Sequence, residues 1–199
     1  MQMTILAPSG RLLQARLWLA RAALAAAALV VALPAAAHPG HEHGSGFMAG
    51  LLHTVSGMDH LLALLAVGLW SRQQRHGAVL VPSFLVMMAL GAASSGGWRM
   101  PALELSIAVT VVLLGVLAAC APGLQRRVPP PLAVVTVGAC AFVHGLAHGN
   151  ELSGTASGAG FLLASLALML VGAAPAERLR RALGAGIGTA GLWLVAVAG

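Results

Sequence analysis

Residues 47–70 have the sequence FMAGLLHTVSGMDHLLALLAVGLW, an apolar stretch that carries His53, Asp59 and His60. A helix needs about 20 consecutive apolar residues to cross the hydrocarbon of a bilayer, so this stretch predicts a transmembrane helix. An ionisable side chain at the centre of a bilayer costs about 2.5–3.5 kcal/mol on insertion scales. Such residues within a span generally mark an ion pathway, a proton relay or a bound ion.

Five more apolar segments follow this stretch, and together the six predict an all-α membrane protein built as a six-transmembrane-helix bundle. The predicted spans are 47–70, 78–95, 101–121, 131–149, 155–174 and 182–198. Strands are excluded because the segments are continuously apolar rather than alternating, and backbone in lipid must satisfy its hydrogen bonds internally. Hydrophobic residues make up 59% of the chain and charged residues only 8%, which excludes a soluble domain.

The segment before the first span has the features of a secretory signal. Several arginines and no acidic residue precede an apolar run over 22–33, and small residues end the segment at Ala37. This pattern predicts a cleaved signal peptide over 1–37; an uncleaved additional helix is the alternative. Cleavage leaves a histidine-rich periplasmic arm, 38–46, followed by the transmembrane domain, 47–199.

The arginines predict the orientation of the bundle. A signal peptide places the start of the mature chain in the periplasm, so alternate connections then face the cytoplasm. Those connections hold Arg72, Arg75, Arg126, Arg127, Arg178, Arg180 and Arg181, whereas the outward connections hold Arg99. This bias agrees with the positive-inside rule. We therefore expect a multi-pass protein of the bacterial inner membrane with both mature termini in the periplasm. Nucleic-acid binding is not expected, because no basic stripe is interleaved with aromatic residues.

The first predicted span carries residues suited to a metal ion. On a continuous helix, His53 and His60 lie two turns apart on one face, and Gly57 between them leaves room for an ion. Asp59 either binds the metal directly or accepts an imidazole N–H and so orients the ring. Imidazole and carboxylate ligands suit a divalent transition metal. For any one of these residues, the alternative is a structural polar side chain that bonds across helices.

The fourth predicted span carries a second polar stripe. His144 and His148 are four residues apart and Glu151 follows three residues later, so all three share one face of a helix.

At about 1.5 Å per residue, His53 lies about 10 Å and His60 about 20 Å below the outer surface. We therefore predict a metal site in the outer half of the bundle, formed by His53, Asp59, His60, Glu104, His144, His148 and Glu151.

The predicted periplasmic arm adds three imidazoles, those of His38, His41 and His43. Neutral imidazole is a common metal ligand, so we expect the arm to concentrate metal ions at the entrance of the site. A solvated polar tail without a metal-binding role is the alternative.

The polar residues of the first predicted span resemble a motif of the HupE/UreJ family of hydrogenase and urease accessory membrane proteins. The family's first-span motif, His-x5-Asp-His, is matched by His53, Asp59 and His60, and a similar apolar stretch follows over 62–70. Glu104 is similar to the glutamate in the family's third span.

The polar stripe of the fourth predicted span resembles the family's fourth-span motif, Phe-His-Gly-x-Ala-His-Gly-x-Glu, over residues 144–151. The chain departs from that motif at the aromatic position, where it has Val143, with Phe142 one residue earlier. The resemblance covers nearly all of the predicted mature chain, with its His-Pro start and its six spans, and includes the signal peptide that precedes it.

The resemblance implies a secondary-type permease that imports Ni²⁺, or alternatively Co²⁺, from periplasm to cytoplasm for metalloenzyme maturation. The divalent ion is then the transported ligand, and no prosthetic group or enzymatic activity is implied. Proteins of hydrogenase or urease maturation are the implied partners.

Three other functions compete with this one. A membrane protein that stores or senses metal without transporting it would use the same ligands. A haem protein would take histidines from two helices as axial ligands, but the adjacent carboxylates suit a hydrated cation better. An intramembrane serine protease would use Ser157, yet the last span has no histidine to activate that serine.

Overall fold

The computed structural model describes residues 46–97, 100–120, 123 and 127–198. Within these ranges the chain is helical and has no strand, which confirms the all-α prediction. The helices are α1 (Phe47–Ser56), α2 (Met58–Ser71), α3 (Leu80–Ser94), α4 (Leu103–Ala119), α5 (Pro130–His148), α6 (Thr155–Ala173) and α7 (Glu177–Ala198). Short 3-10 turns lie at helix ends, over Gly77–Val79, Ser95–Gly97 and Gly149–Glu151.

Some of the predicted features lie outside the described residues. They are the signal peptide over 1–37, the arm histidines His38, His41 and His43, and the loop arginines Arg99 and Arg126. These features stay predictions from the sequence.

Four of the described segments are long and apolar enough to cross a membrane. They are Gly77–Ser94, Pro130–Glu151, Thr155–Ala173 and Glu177–Ala198. The bent pair of α1 and α2 makes a fifth if its two parts form one span. Helix α4 is apolar but has 17 residues, about 25 Å against a hydrocarbon core of about 30 Å. The chain is therefore a multi-pass membrane protein with four or five candidate spans among its described residues.

The prediction of a continuous first helix is wrong, because α1 and α2 meet at an angle of 85° at Gly57. Gly57 has an extended backbone, with φ −84° and ψ 114°. The Ser56 hydroxyl donates to the carbonyl of His53 at 2.9 Å, and the Asp59 carboxylate accepts the backbone N–H of His60 at 2.7 Å. Both contacts satisfy backbone groups that a helix end leaves unpaired. The depths predicted for His53 and His60 assume one straight helix axis, which the bend at Gly57 contradicts.

The last helix begins at Glu177 rather than at residue 182. Its first turns therefore hold three arginines that the sequence predicts to lie in a connecting loop. They are Arg178, Arg180 and Arg181. The Arg181 side chain donates to the carbonyl of Ala119 at the end of α4, over 3.3 Å. This contact fixes the start of α7 beside the end of α4.

Glycines allow the helices to pack closely in pairs. Helices α1 and α2 pack on α6, α3 packs on α5, and α4 packs on α7. A Cβ atom on Gly68 would collide with the carbonyl of Met169, and one on Gly145 would collide with the carbonyl of Met88. Small residues at such contacts let membrane helices approach without a side chain between them.

The histidines of α2 and α5 lie at one end of the bundle, and the described arginines lie at the other. Helix α2 carries His60 in its first turn and ends at Ser71, directly before Arg72, and α5 ends at His148. At the arginine end, the Gln73 side chain donates to the carbonyl of Ala118 at 2.7 Å and ties α2 to the end of α4. The fold therefore separates a histidine end from an arginine end.

Candidate metal centre

The histidine end contains two groups of potential metal ligands that share one residue. The inner triad consists of His60, His144 and His148, and the outer triad consists of His53, His148 and Glu151. In each triad, one potential ligand atom per residue lies within 4.8 Å of the other two. The bend at Gly57 brings both His53 of α1 and His60 of α2 against the end of α5.

The inner triad is buried and has unsatisfied nitrogen atoms. His60 is 1% exposed and His144 is fully buried. Among the described residues, His60 Nδ1, His144 Nδ1 and His148 Nε2 are buried without a hydrogen-bond partner. A buried polar atom without a partner is costly and rare in folded proteins. Three of them on adjacent rings indicate a site for a ligand that accepts nitrogen lone pairs.

Hydroxyl groups determine which nitrogen carries the lone pair in two of the inner rings, those of His144 and His60. The Thr110 hydroxyl donates to the carbonyl of Ile107 at 2.7 Å, so it accepts from His144 Nε2 at 2.9 Å. The proton of His144 is thereby assigned to Nε2, and the lone pair to the unpartnered Nδ1.

Ser165 acts on His60 in the same way. Its hydroxyl donates to the carbonyl of Phe161 at 2.8 Å and accepts from His60 Nε2 at 3.4 Å. Hydrogen bonds of this kind orient metal-ligating histidines and select their tautomer. Both Thr110 and Ser165 therefore leave Nδ1 of their histidine available to a metal.

Phe161 forms one wall of the inner triad. Its ring stacks on His60 with centroids 4.8 Å apart and planes inclined by 19°. The His148 ring lies 4.9 Å from His60 on centroids and is inclined by 69°. Phe161 is 1% exposed, so it shields the triad from the surroundings and restricts the rotation of His60.

The outer triad is compact and reaches the surface. Glu151 Oε2 lies 2.9 Å from His148 Nδ1 and 3.0 Å from His53 Nε2. The two imidazole nitrogens lie 3.1 Å apart. The Glu151 side chain is 52% exposed, whereas those of His53 and His148 are 22% and 12% exposed. The outer triad therefore connects the surface to the buried inner triad.

The backbone positions Glu151 through the packing of α3 against α5. Gly149 lies against the carbonyl of Ala92, with no space for a Cβ atom. The hydroxyl of Ser95 donates to Asn150 Oδ1 at 3.2 Å. These contacts hold the 3-10 turn that carries Glu151 against the end of α3.

Two predicted ligands, Asp59 and Glu104, belong to neither triad among the described residues. Asp59 instead accepts the backbone N–H of His60 and acts electrostatically on His144. Asp59 and Glu104 line a common pocket of about 370 Å³, together with apolar side chains of α4 and α7. The structure therefore places both carboxylates beside the histidine cluster rather than within it.

Three residues of this site are missing from the sequence prediction: Thr110, Ser165 and Phe161. The available signal was weak, since Thr110 and Ser165 are isolated hydroxyl residues in otherwise apolar helices. In the structure each also bonds to its own helix backbone, which is the usual role of such residues.

The spacing of the outer triad and the ligand types of both triads suit a divalent metal ion. An octahedral ion with bonds of about 2.1 Å holds adjacent ligand atoms about 3.0 Å apart. The outer triad, with separations of 2.9–3.1 Å, already has the spacing of three adjacent ligands. The inner triad offers three nitrogens and the outer triad offers two nitrogens and a carboxylate oxygen.

Comparison with known proteins gives one family and one curated relative. The profile described as HupE / UreJ protein matches residues 25–199. Protein HupE of Rhizobium leguminosarum bv. viciae is 41% identical over 137 residues, which cover 65% of this chain and 70% of the relative. No solved structure matches the chain significantly.

Proposed function

The chain belongs to the HupE / UreJ family, and from this membership and the two triads we propose that it is a nickel permease. In this proposal it carries Ni²⁺, or alternatively Co²⁺, from the periplasm to the cytoplasm by a secondary mechanism. It is then a transport protein rather than an enzyme, and the ion is its cargo.

One observation carries this proposal: three buried imidazole nitrogens of the inner triad have no partner among the described residues. Desolvated imidazoles without a partner are a liability in a structural core. They are an advantage where a partly dehydrated transition-metal cation needs imidazole ligands. The hydroxyls of Thr110 and Ser165 support the same interpretation, because they leave Nδ1 of His144 and His60 available.

We place the histidine end at the periplasmic side of the bacterial inner membrane. The arginine end of the bundle then faces the cytoplasm, as the positive-inside rule requires. The proposed topology has six crossings, in which α1 and α2 together form the first and α4 the third. A cleaved signal peptide over 1–37 then leaves both mature termini in the periplasm.

In this proposal, two carboxylates and the periplasmic arm help the site to capture metal ions. The pocket that Asp59 and Glu104 share raises the local concentration of cations beside the triads, since carboxylates attract them. The three histidines of the arm, His38, His41 and His43, act in the same way in front of the site.

The membrane potential supplies a driving force for import. A potential of about 100 mV is worth about 2.3 kcal/mol per charge, hence about twice that for a divalent ion moving inward. On the cytoplasmic side, proteins that mature hydrogenase or urease are the proposed recipients of the metal.

Uptake of radiolabelled Ni²⁺ by cells that produce the protein tests the proposal. We expect His60→Ala and His144→Ala to reduce uptake to the background of cells without the protein. His76→Ala is the matched control, because His76 is exposed and lies at the arginine end. Undiminished uptake by both triad variants would refute the assignment.

Competition with unlabelled ions identifies the cargo. We expect excess Co²⁺ to suppress labelled Ni²⁺ uptake strongly, and Mn²⁺ to suppress it least, because Mn²⁺ binds nitrogen ligands most weakly of this series. If the purified protein binds Ni²⁺ but proteoliposomes show no flux, it stores or senses metal instead.

A further inference from the structure

We propose that the two triads hold a metal ion alternately and not together, because both depend on the single imidazole ring of His148. An ion passes from the outer to the inner triad by exchanging one nitrogen of this ring for the other. The inference rests on the proposed function, since it takes both triads as metal sites.

We assign the two nitrogens of His148 to different triads. Nδ1 lies 2.9 Å from Glu151 Oε2 and 3.1 Å from His53 Nε2, so it belongs to the outer triad. Nε2 is buried and has no partner among the described residues, and the ring lies 4.9 Å from that of His60 on centroids. His148 is therefore the only member common to both groups found in the described part of the chain.

A neutral imidazole has one lone pair, because its other nitrogen carries the proton. When Nδ1 binds an ion in the outer triad, the proton is on Nε2 and the inner triad lacks its third ligand. When Nε2 binds an ion in the inner triad, the proton is on Nδ1, and this N–H donates a hydrogen bond to Glu151. The change of triad moves one proton from Nε2 to Nδ1, and the ring neither gains nor loses a proton.

Electrostatic repulsion also prevents the two triads from holding ions at the same time. Two divalent ions on opposite sides of one imidazole ring would repel each other strongly in a poorly solvated site. None of the three inner ligands is a carboxylate, whereas Glu151 belongs to the outer triad alone. Asp59 lies beside the inner triad and acts electrostatically on His144, so it offsets part of the charge of one ion but not of two. A second ion therefore enters the outer triad only after the first has left the inner triad toward the cytoplasm.

Equilibrium dialysis of the purified full chain against radiolabelled Ni²⁺ tests this inference. Every chain in the experiment carries His38→Ala, His41→Ala and His43→Ala, so that the arm binds no metal; we call this chain the parent. An outer-triad variant adds His53→Ala and Glu151→Ala, and an inner-triad variant adds His60→Ala and His144→Ala.

We expect the parent and both variants each to bind one Ni²⁺ per chain at saturation. X-ray absorption should show three imidazole ligands on the ion in the outer-triad variant. It should show two imidazoles and a carboxylate in the inner-triad variant. Two independent sites would instead give two ions in the parent and one in each variant.

The outcomes separate this inference from the proposed function. Two ions per parent chain would overturn alternation but leave the permease proposal standing. No ion in either variant, with helical content unchanged by circular dichroism, would also overturn alternation. The parent needs no change in the bundle, so its stoichiometry decides even if a variant fails to fold. No binding by the parent would overturn both.

Discussion

The inner and outer triads share His148 but differ in how the fold supports them. Hydroxyl groups that are themselves anchored to backbone carbonyls hold the two inner rings, and Phe161 covers one of them. The outer triad includes Glu151, which is half exposed and sits on a short 3-10 turn. Preorganised, buried ligands favour selectivity, whereas an exposed carboxylate favours rapid exchange with solvent. We infer that the outer triad captures the ion and the inner triad selects it.

The largest effect should come from the residue that both triads share. We expect His148→Ala to reduce Ni²⁺ uptake to background, and His53→Ala to retain a measurable part of it, because the inner triad stays complete. Initial rates of labelled uptake at matched protein levels measure the difference. Equal residual rates in the two variants would show that His148 has no special position.

A smaller effect should come from the hydroxyl that orients His144. Thr110→Val keeps the shape of the side chain and removes the hydrogen bond to His144 Nε2. Loss of such a partner typically lowers metal affinity about 10–100-fold. We expect a loss of that size in equilibrium binding of Ni²⁺ to the outer-triad variant, in which only the inner triad can bind the ion.

Thr189→Val is the matched control for this substitution. The Thr189 hydroxyl bonds to the carbonyl of Ala185 on its own helix and is exposed. Unchanged affinity in both valine variants would mean that the inner triad does not depend on the tautomer of His144.

Hydropathy predicted most of the fold but missed the break in the first span. A window that averages apolar character over residues 47–70 passes smoothly across Gly57. The local signals were present, since glycine often ends a helix and Asp59 is favourable in the first turn of the next. Tertiary packing of α1 and α2 against α6 then fixes an angle that no sequence pattern specifies.

The motifs predicted the members of both triads, yet not their division into two groups. A spacing of four residues places His144 and His148 on one face of α5, but it does not determine which ring nitrogen faces which neighbour. That depends on contacts with other helices, such as the one between Thr110 of α4 and His144. Asp59 and Glu104 remain predicted contributors whose carboxylates lie beside the triads.

The exposed carboxylate of the outer triad should have a moderate effect on capture. Glu151→Gln keeps the size of the side chain but removes its charge. We expect the Ni²⁺ concentration for half-maximal uptake to rise about fivefold, about 1 kcal/mol, with a smaller change in maximal rate. Added salt should narrow the difference, because it screens exposed charges.

Glu177→Gln provides the control for charge alone, since Glu177 is exposed in the first turn of α7 at the arginine end. A similar rise in both glutamine variants would indicate a general effect of net charge rather than capture by the outer triad.

The smallest effect should come from the aromatic wall of the inner triad. Phe161→Leu removes the ring that stacks on His60 at 4.8 Å, and stacking of this kind contributes about 0.5 kcal/mol at the low end of its range. In the outer-triad variant, where only the inner triad can bind the ion, we expect a loss of about twofold in Ni²⁺ affinity. Phe84→Leu is the control, because Phe84 is equally buried but lies 6.5 Å from His144 without stacking on it. Both variants lose core volume, so only a difference between them reports on the stacked ring. Equal affinities would mean that hydrogen bonding to Ser165, and not the aromatic wall, holds His60 in place.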